Sequence, residues 1–312
     1  MGASVLLGLL IIAAGAFCQS SSYVPINKIK KWSWESYWLV QGVFAWLVFP
    51  LLGALLAIPE GHTLGDLFAL MGANPKATGL TILFGALWGV GGLTFGLGMR
   101  YLGVALGQSI GLGLCSGLGA ILGPVLTGKA ASLTMAVIIG VIVTIIGIAS
   151  IVIAVICGLM SACFNIGLSF GEELCFDGTA PLFKTLPATM LVTFGGFLTN
   201  ACYCLYQNSK NKTFGDYAQG SLWGHNIIFC ALAGLLWYSQ FFGLSLGKGF
   251  LTASPVLLTF SWCILMSLNV IFSNVWGIIL KEWKGCNKKT IYVLLCGLAV
   301  LIFSIFLPYI IG

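Results

Sequence analysis

The chain has 312 residues, of which 59% are hydrophobic and only 7% charged, with a formal net charge of +6. Soluble domains carry about 25% charged residues, so a water-facing globular surface is excluded and a lipid-facing helical bundle is expected. No polar, Pro-rich or Ser-rich run offers a linker, which points to one membrane domain.

Ten apolar spans are predicted in chain order, at about 3–24, 37–58, 79–99, 103–126, 131–149, 151–171, 186–206, 222–246, 256–280 and 290–311. Each approaches the ~20 residues that cross ~30 Å of hydrocarbon. The first resembles a signal peptide but has no basic segment before Val5–Phe17, so it reads as a membrane helix. No Asp, Glu, Lys or Arg is expected inside any span. Residues 131–171 form one long apolar run that must fold back, with the turn expected around Gly147–Ser150.

The 42 glycines recur at four-residue spacing, as in Gly85/Gly89 and Gly92/Gly96. Between membrane helices, small residues let backbones approach closely. Of the 11 cysteines, Cys115, Cys157, Cys163, Cys230 and Cys263 sit in apolar runs and read as small apolar side chains.

Basic residues set the orientation, because Lys and Arg near helix ends stay cytoplasmic. With the N-terminus outside, the cytoplasmic loops hold Lys28, Lys30, Lys31, Arg100, Lys210, Lys212, Lys281, Lys284, Lys288 and Lys289. The other side holds Lys76, Lys129, Lys184 and Lys248. Both termini are therefore expected in the periplasm of a bacterial inner-membrane protein. Ten spans divide into five-helix halves, residues 1–150 and 151–312, the second inverted relative to the first. At a shift of about 145 residues Gly89 meets Gly234 and Gly98 meets Gly243.

Enzyme signatures are absent: the sequence has no HExxH, no P-loop and only two histidines, His62 and His225. His62 beside Glu60 and Asp66 reads as a solvated loop rather than a metal site, and neither metal nor cofactor is expected. The spans instead carry polar and aromatic stripes. Gln19, Ser22 and Tyr23 share one face of the first span, and Trp88 and Phe95 one face of the third. Gln108 and Ser109 lie in the fourth; Ser161, Asn165 and Ser169 align in the sixth. Asn226, Trp237 and Gln240 fall near one line of the eighth, with Tyr238 alongside. Amides and hydroxyls match a sugar's hydroxyl groups and ring faces cover its C–H side, although such groups also join helices by hydrogen bonds.

The segments Tyr23-Val-Pro25, Lys30–Glu35, Met99–Gly103, His225-Asn226, Trp237–Phe242, Ser261-Trp262 and Leu280–Trp283 resemble the L-rhamnose/proton symporter family of the drug/metabolite transporter group. The resemblance runs over nearly the whole chain. It implies an all-α bundle of ten helices in two inverted repeats, a central cavity among helices 1, 3, 4, 6, 8 and 9, and proton-driven uptake of L-rhamnose or a similar sugar. It also brings Trp262 into the candidate binding set with Gln19, Trp88, Gln108, Ser109, Asn165, Asn226, Trp237, Tyr238 and Gln240. A hydrophilic loop that usually separates helices 5 and 6 is missing here.

Lys30–Glu35 and Lys281–Trp283 read as interfacial anchors, with a gating role for Glu35 as the alternative. For the proton, Glu172 is the first candidate, expected at the outer end of the sixth helix on the face of Asn165 and Ser169. Glu173, Glu35 and His225 follow. Alternative readings are an exporter of the same fold and a non-transporting membrane sensor. The expected partners are a small sugar, protons and the lipid bilayer, with no nucleic acid, and the expected functional unit is a monomer.

Overall fold

The computed structural model describes residues 2–102, 115, 118–119, 121–122, 125–126, 128, 152–281, 283–284 and 288–311, and among these the fold is all-helical, without strands. The helices are α1 (Ala3–Ser21), α2 (Tyr23–Ile26), α3 (Trp34–Val43), α4 (Phe49–Leu56), α5 (Leu64–Ala73), α6 (Pro75–Leu102), α7 (Val152–Phe170), α8 (Leu186–Asn211), α9 (Gly220–Phe250), α10 (Pro255–Ile279) and α11 (Lys288–Ile311). Among the described residues, six stretches are long and apolar enough to cross a membrane: Ala3–Ile26, Trp34–Leu56, Pro75–Leu93, Leu186–Asn211, Gly220–Phe250 and Pro255–Ile279. Helices thus stand at the positions expected for the first three and the last five spans. Span 131–149, the turn at Gly147–Ser150, Gln108 and Ser109 lie outside the described residues, as does most of span 103–126.

The helices extend beyond the hydropathy limits, and the charges they take in lie at their ends, outside the spans read from the sequence. Hydrogen bonding continues through polar ends that hydropathy excludes, so α3 includes Glu35, α6 includes Lys76 and Arg100, and α9 includes Lys248. A short additional helix, α5, follows the second span. Its start is closed by a capping box in which the Asp66 backbone N–H donates to the Thr63 hydroxyl at 3.3 Å and the Thr63 backbone N–H donates to the Asp66 carboxylate at 2.7 Å. Asp66 is therefore engaged by Thr63, and His62 stacks on Phe176 at 4.3 Å.

The second span is interrupted by a π-helical turn, Phe44–Val48, between α3 and α4. Its cause is local: Pro50 has no N–H to donate to the Trp46 carbonyl and its ring would strike it. The helix widens instead, and the Phe49 N–H reaches back to the Phe44 carbonyl.

Helix pairing relies on glycines where backbones meet. A Cβ on Gly85 would collide with the Val192 carbonyl of α8, and one on Gly195 with the Ile82 carbonyl of α6. Between α1 and α9, Cβ atoms at Gly8 and Gly15 would stand 2.9 Å from the carbonyl oxygens of Gly247 and Ser239. In lipid such contact supplies dispersion that burial of apolar area cannot. Cys115, Cys163, Cys204, Cys230 and Cys263 are buried in the helix packing.

Contacts fix which helix ends lie together. The Trp276 indole N–H donates to the Ser21 hydroxyl (2.9 Å), and the Asn226 side chain bonds the backbone of Lys30. The ends of α1, α8 and α10 and the starts of α3 and α9 therefore share one face of the bundle, with Lys28, Lys30, Lys31, Lys210, Lys212, Lys281 and Lys284. At the opposite face the Ser4 hydroxyl donates to the Phe250 carbonyl (3.1 Å) and the Thr179 hydroxyl to the Ala57 carbonyl (2.8 Å).

Candidate functional site

The bundle encloses a chamber to which most of the long helices contribute. Gln19 and Tyr23 come from α1 and α2, Trp38 and Trp46 from the second span, and Trp88 and Gly92 from α6. Ser161 and Phe164 of α7, Trp237, Gln240 and Phe241 of α9, and Trp262 and Met266 of α10 close it, together with Cys115. The room for the centres of water-sized molecules is about 70 Å³, less than the ~300–1,000 Å³ of a typical small-molecule pocket.

Aromatic rings form most of its wall. Trp46 meets Trp88 and Trp237 edge-on, with centroids at 6.0 and 5.9 Å, and Trp88 lies 5.7 Å from Trp237. Phe164 lies nearly parallel to Phe241 (4.2 Å) and Trp262 (5.7 Å), which are 6.5 Å from each other. The polar side is an amide and hydroxyl network across three helices. The Asn269 Nδ2 donates to the Gln240 Oε1 (2.9 Å), and the Gln240 Nε2 donates to the Trp237 carbonyl (3.2 Å). Ser20 anchors the network, its hydroxyl 3.0 Å from the Asn269 carbonyl and 3.4 Å from the Gln19 Oε1. Held this way, Gln240 keeps one N–H and one lone pair for another partner. Among the described residues the indole N–H groups of Trp46 and Trp262 are sealed from water and have no hydrogen-bond partner.

The structure brings together Gln19, Tyr23, Trp88, Ser161, Trp237, Gln240 and Trp262, all singled out in the sequence. It places others elsewhere. The Asn226 amide accepts from the Lys30 N–H (3.0 Å) and donates to the Lys30 carbonyl (2.9 Å), tying the loop after α2 to the start of α9. Asn165 donates to the Gly119 carbonyl at 2.7 Å, and Tyr238 points its hydroxyl at Gly53 of α4. None of these three lines the chamber. Trp38, Trp46, Phe164, Phe241 and Met266 are lining residues that the sequence reading does not pick out. Pro50, four residues after Trp46, is the one hint the sequence offers.

The proton candidates also separate. Helix α7 ends at Phe170, so Glu172 and Glu173 sit in an exposed turn beyond it, and Glu172 acts electrostatically on Lys248. His225 donates from Nε2 to the Lys28 carbonyl at 2.9 Å. Glu35 is the one buried carboxylate among the described residues, only 6% exposed. It stands in the first turn of α3, where the helix dipole favours negative charge. Its Oε1 accepts from the Asn211 Nδ2 (2.9 Å) and lies 2.9 Å from the Thr213 hydroxyl, which is also 2.8 Å from the Asn208 Oδ1.

That cluster continues to the surface. The Ser36 hydroxyl donates to Asn208 (2.9 Å) and meets the Ser33 hydroxyl (3.0 Å), and Ser33 donates its backbone and side-chain hydrogens to Asp216. Burial pushes the Asp216 carboxyl up, but the bonds from Ser33 and Ser36 outweigh it and hold the group below the usual carboxylate range. Trp38, one turn along α3 from Glu35, lines the chamber and fixes its indole N–H on Asn200 (3.0 Å).

A multi-pass helical bundle around a chamber of rings and amides fits a membrane transport protein. The chain belongs to the family described as L-rhamnose-proton symport protein, whose model matches residues 1–154 and 149–310. Among curated relatives, an L-rhamnose-proton symporter of Yersinia pestis is 31% identical over 346 aligned positions, covering 97% of each chain. One of Mannheimia succiniciproducens, with the same printed name, is 29% identical over 341 positions, again covering 97% of each. These aligned lengths exceed the chain's 312 residues, so the relatives carry segments that it lacks.

Proposed function

We propose that this protein imports L-rhamnose or a close relative together with a proton, by alternating access across the bacterial inner membrane. The carrying observation is the chamber: stacked rings suit the C–H face of a sugar, while Gln19, Gln240 and the two unpartnered indole N–H groups suit its hydroxyls. The printed names of the relatives supply substrate and coupling ion. The protein works as a monomer of ten helices with both termini periplasmic, and the collection of lysines at one end of the bundle supports that orientation.

Packing supports two inverted halves, 1–150 and 151–312. Helix α1 of the first half packs on α9 as α7 of the second packs on α6. Gly89 and Gly234, matched by the sequence shift, press on α8 and on the second span respectively, which are themselves equivalent positions in the two halves.

The proton site is Glu35. Its surroundings accommodate both protonation states, because the Thr213 hydroxyl carries one hydrogen and has two acceptors in reach. With Glu35 ionised, Thr213 donates to it. With Glu35 protonated, Thr213 turns to Asn208 and accepts from the new O–H. The carboxyl thus gains or loses a proton one turn from the chamber wall at Trp38.

Counterflow in proteoliposomes tests the reading. The wild type exchanges labelled L-rhamnose, whereas Trp237→Ala and Gln240→Ala exchange it with weaker apparent affinity. A wild type that exchanges no rhamnose refutes the sugar assignment, and unchanged affinity in both variants assigns those residues to packing.

A further inference from the structure

A second cavity lies away from the chamber, between the last turn of α10, the 281–284 turn and the first turns of α11. It offers about 340 Å³ and is lined by Ile278, Trp283, Ile291, Leu294 and Leu295 together with Lys281 and Lys284. Both lysines are exposed, and Lys281 holds a left-handed backbone (φ 61°) where the chain leaves α10. The Trp283 indole nitrogen is buried without a hydrogen-bond partner among the described residues. Ile278 and Leu295 are 53% and 52% exposed, so the groove opens sideways, toward lipid.

The chemistry at the two ends of this cavity differs. One end is aliphatic and continuous with the lipid-facing surface. The other is lined by Lys281 and Lys284, close in the chain to the amino end of a 24-residue helix, whose dipole favours an anion. Residues 281–289 carry four lysines against one acid, Glu282. A free anion would leave the aliphatic end without a complement, and a second protein copy would bring its own helix face against the charge of Lys281 and Lys284.

We propose that this cavity is a binding site for an anionic phospholipid. The phosphodiester sits between Lys281 and Lys284, and one acyl chain follows Ile278, Leu294 and Leu295. Basic pockets between membrane helices at the cytoplasmic side hold anionic headgroups in this way. A zwitterionic lipid brings its own cation to the two lysines and binds less well. The site braces the α10–α11 hairpin and is independent of what the chamber carries.

The test uses the full chain, purified in detergent and delipidated, with thermal unfolding followed on addition of dioleoyl phosphatidylglycerol, dioleoyl phosphatidylcholine or glycerol 3-phosphate. Phosphatidylglycerol should raise the midpoint by about 2–4 °C over phosphatidylcholine, and the water-soluble phosphate should add nothing. The Lys281→Ala/Lys284→Ala variant, altered only at exposed side chains, should lose the difference between the lipids. Native mass spectrometry of the wild type should show one retained phosphatidylglycerol per chain, lost in the variant. Equal stabilisation by both lipids, an unchanged preference in the variant, glycerol 3-phosphate matching the lipid, or a face closed by a second copy would each overturn the proposal.

Discussion

Replacing Glu35 by Gln tests the proton site while nearly conserving its shape. Glu35 accepts two hydrogen bonds, from Asn211 and Thr213, in a buried position at the first turn of α3. Hydrogen bonds to a charged group contribute about 1.5–3 kcal/mol and neutral ones about 0.5–1.5. A Gln that keeps both contacts therefore costs about 1–3 kcal/mol of stability, which should leave the protein folded. Its consequence for transport is larger in kind. A one-unit pH gradient is worth about 1.36 kcal/mol per proton, so one coupled proton drives about tenfold accumulation of sugar. In proteoliposomes with labelled L-rhamnose, Glu35→Gln should still exchange sugar, but its accumulation ratio should fall to about one. Normal accumulation in the variant would refute the assignment. Loss of exchange along with accumulation would make Glu35 a brace between the second span and the end of α8 instead.

Gly85→Ala places a methyl against the Val192 carbonyl and should destabilise the α6–α8 pair by about 1–3 kcal/mol, measurable by thermal unfolding. Trp46→Phe keeps an aromatic ring, though a smaller one, and removes the unpartnered N–H, and should weaken rhamnose binding about five- to tenfold in calorimetry if that donor meets the sugar. The Asp216 carboxyl is held below its unfolded value, so its bonds from Ser33 and Ser36 stabilise the fold above about pH 4 and are lost as pH falls through the folded-state pKa. Wild-type stability should therefore drop more steeply than that of Asp216→Asn on acidification. An identical acid limb in both proteins would count against the Asp216 contribution.

Composition and hydropathy alone determined that this chain is a helical membrane protein, because 312 residues with 7% charge have no stable alternative to a lipid-facing surface. The short segments around Trp237–Phe242 and Ser261-Trp262 were enough to indicate the family, and Trp88, Trp237, Gln240 and Trp262 do meet at the chamber. Periodicity along one helix could go no further, since it says which residues share a face but not what that face meets. Asn226 shares a line with Trp237 yet binds the Lys30 backbone. Glu172 was expected at the end of a helix that stops before it. Glu35 lies just outside the hydropathy limit, and its partners Asn211 and Thr213 are more than 170 positions away in the chain. Trp46 reaches the chamber from a π turn whose cause, Pro50, is local but whose partners Trp88 and Trp237 come from two other helices. A carboxylate's burial and an indole's unmet donor are properties of several helices packed together, and tertiary packing alone decided them.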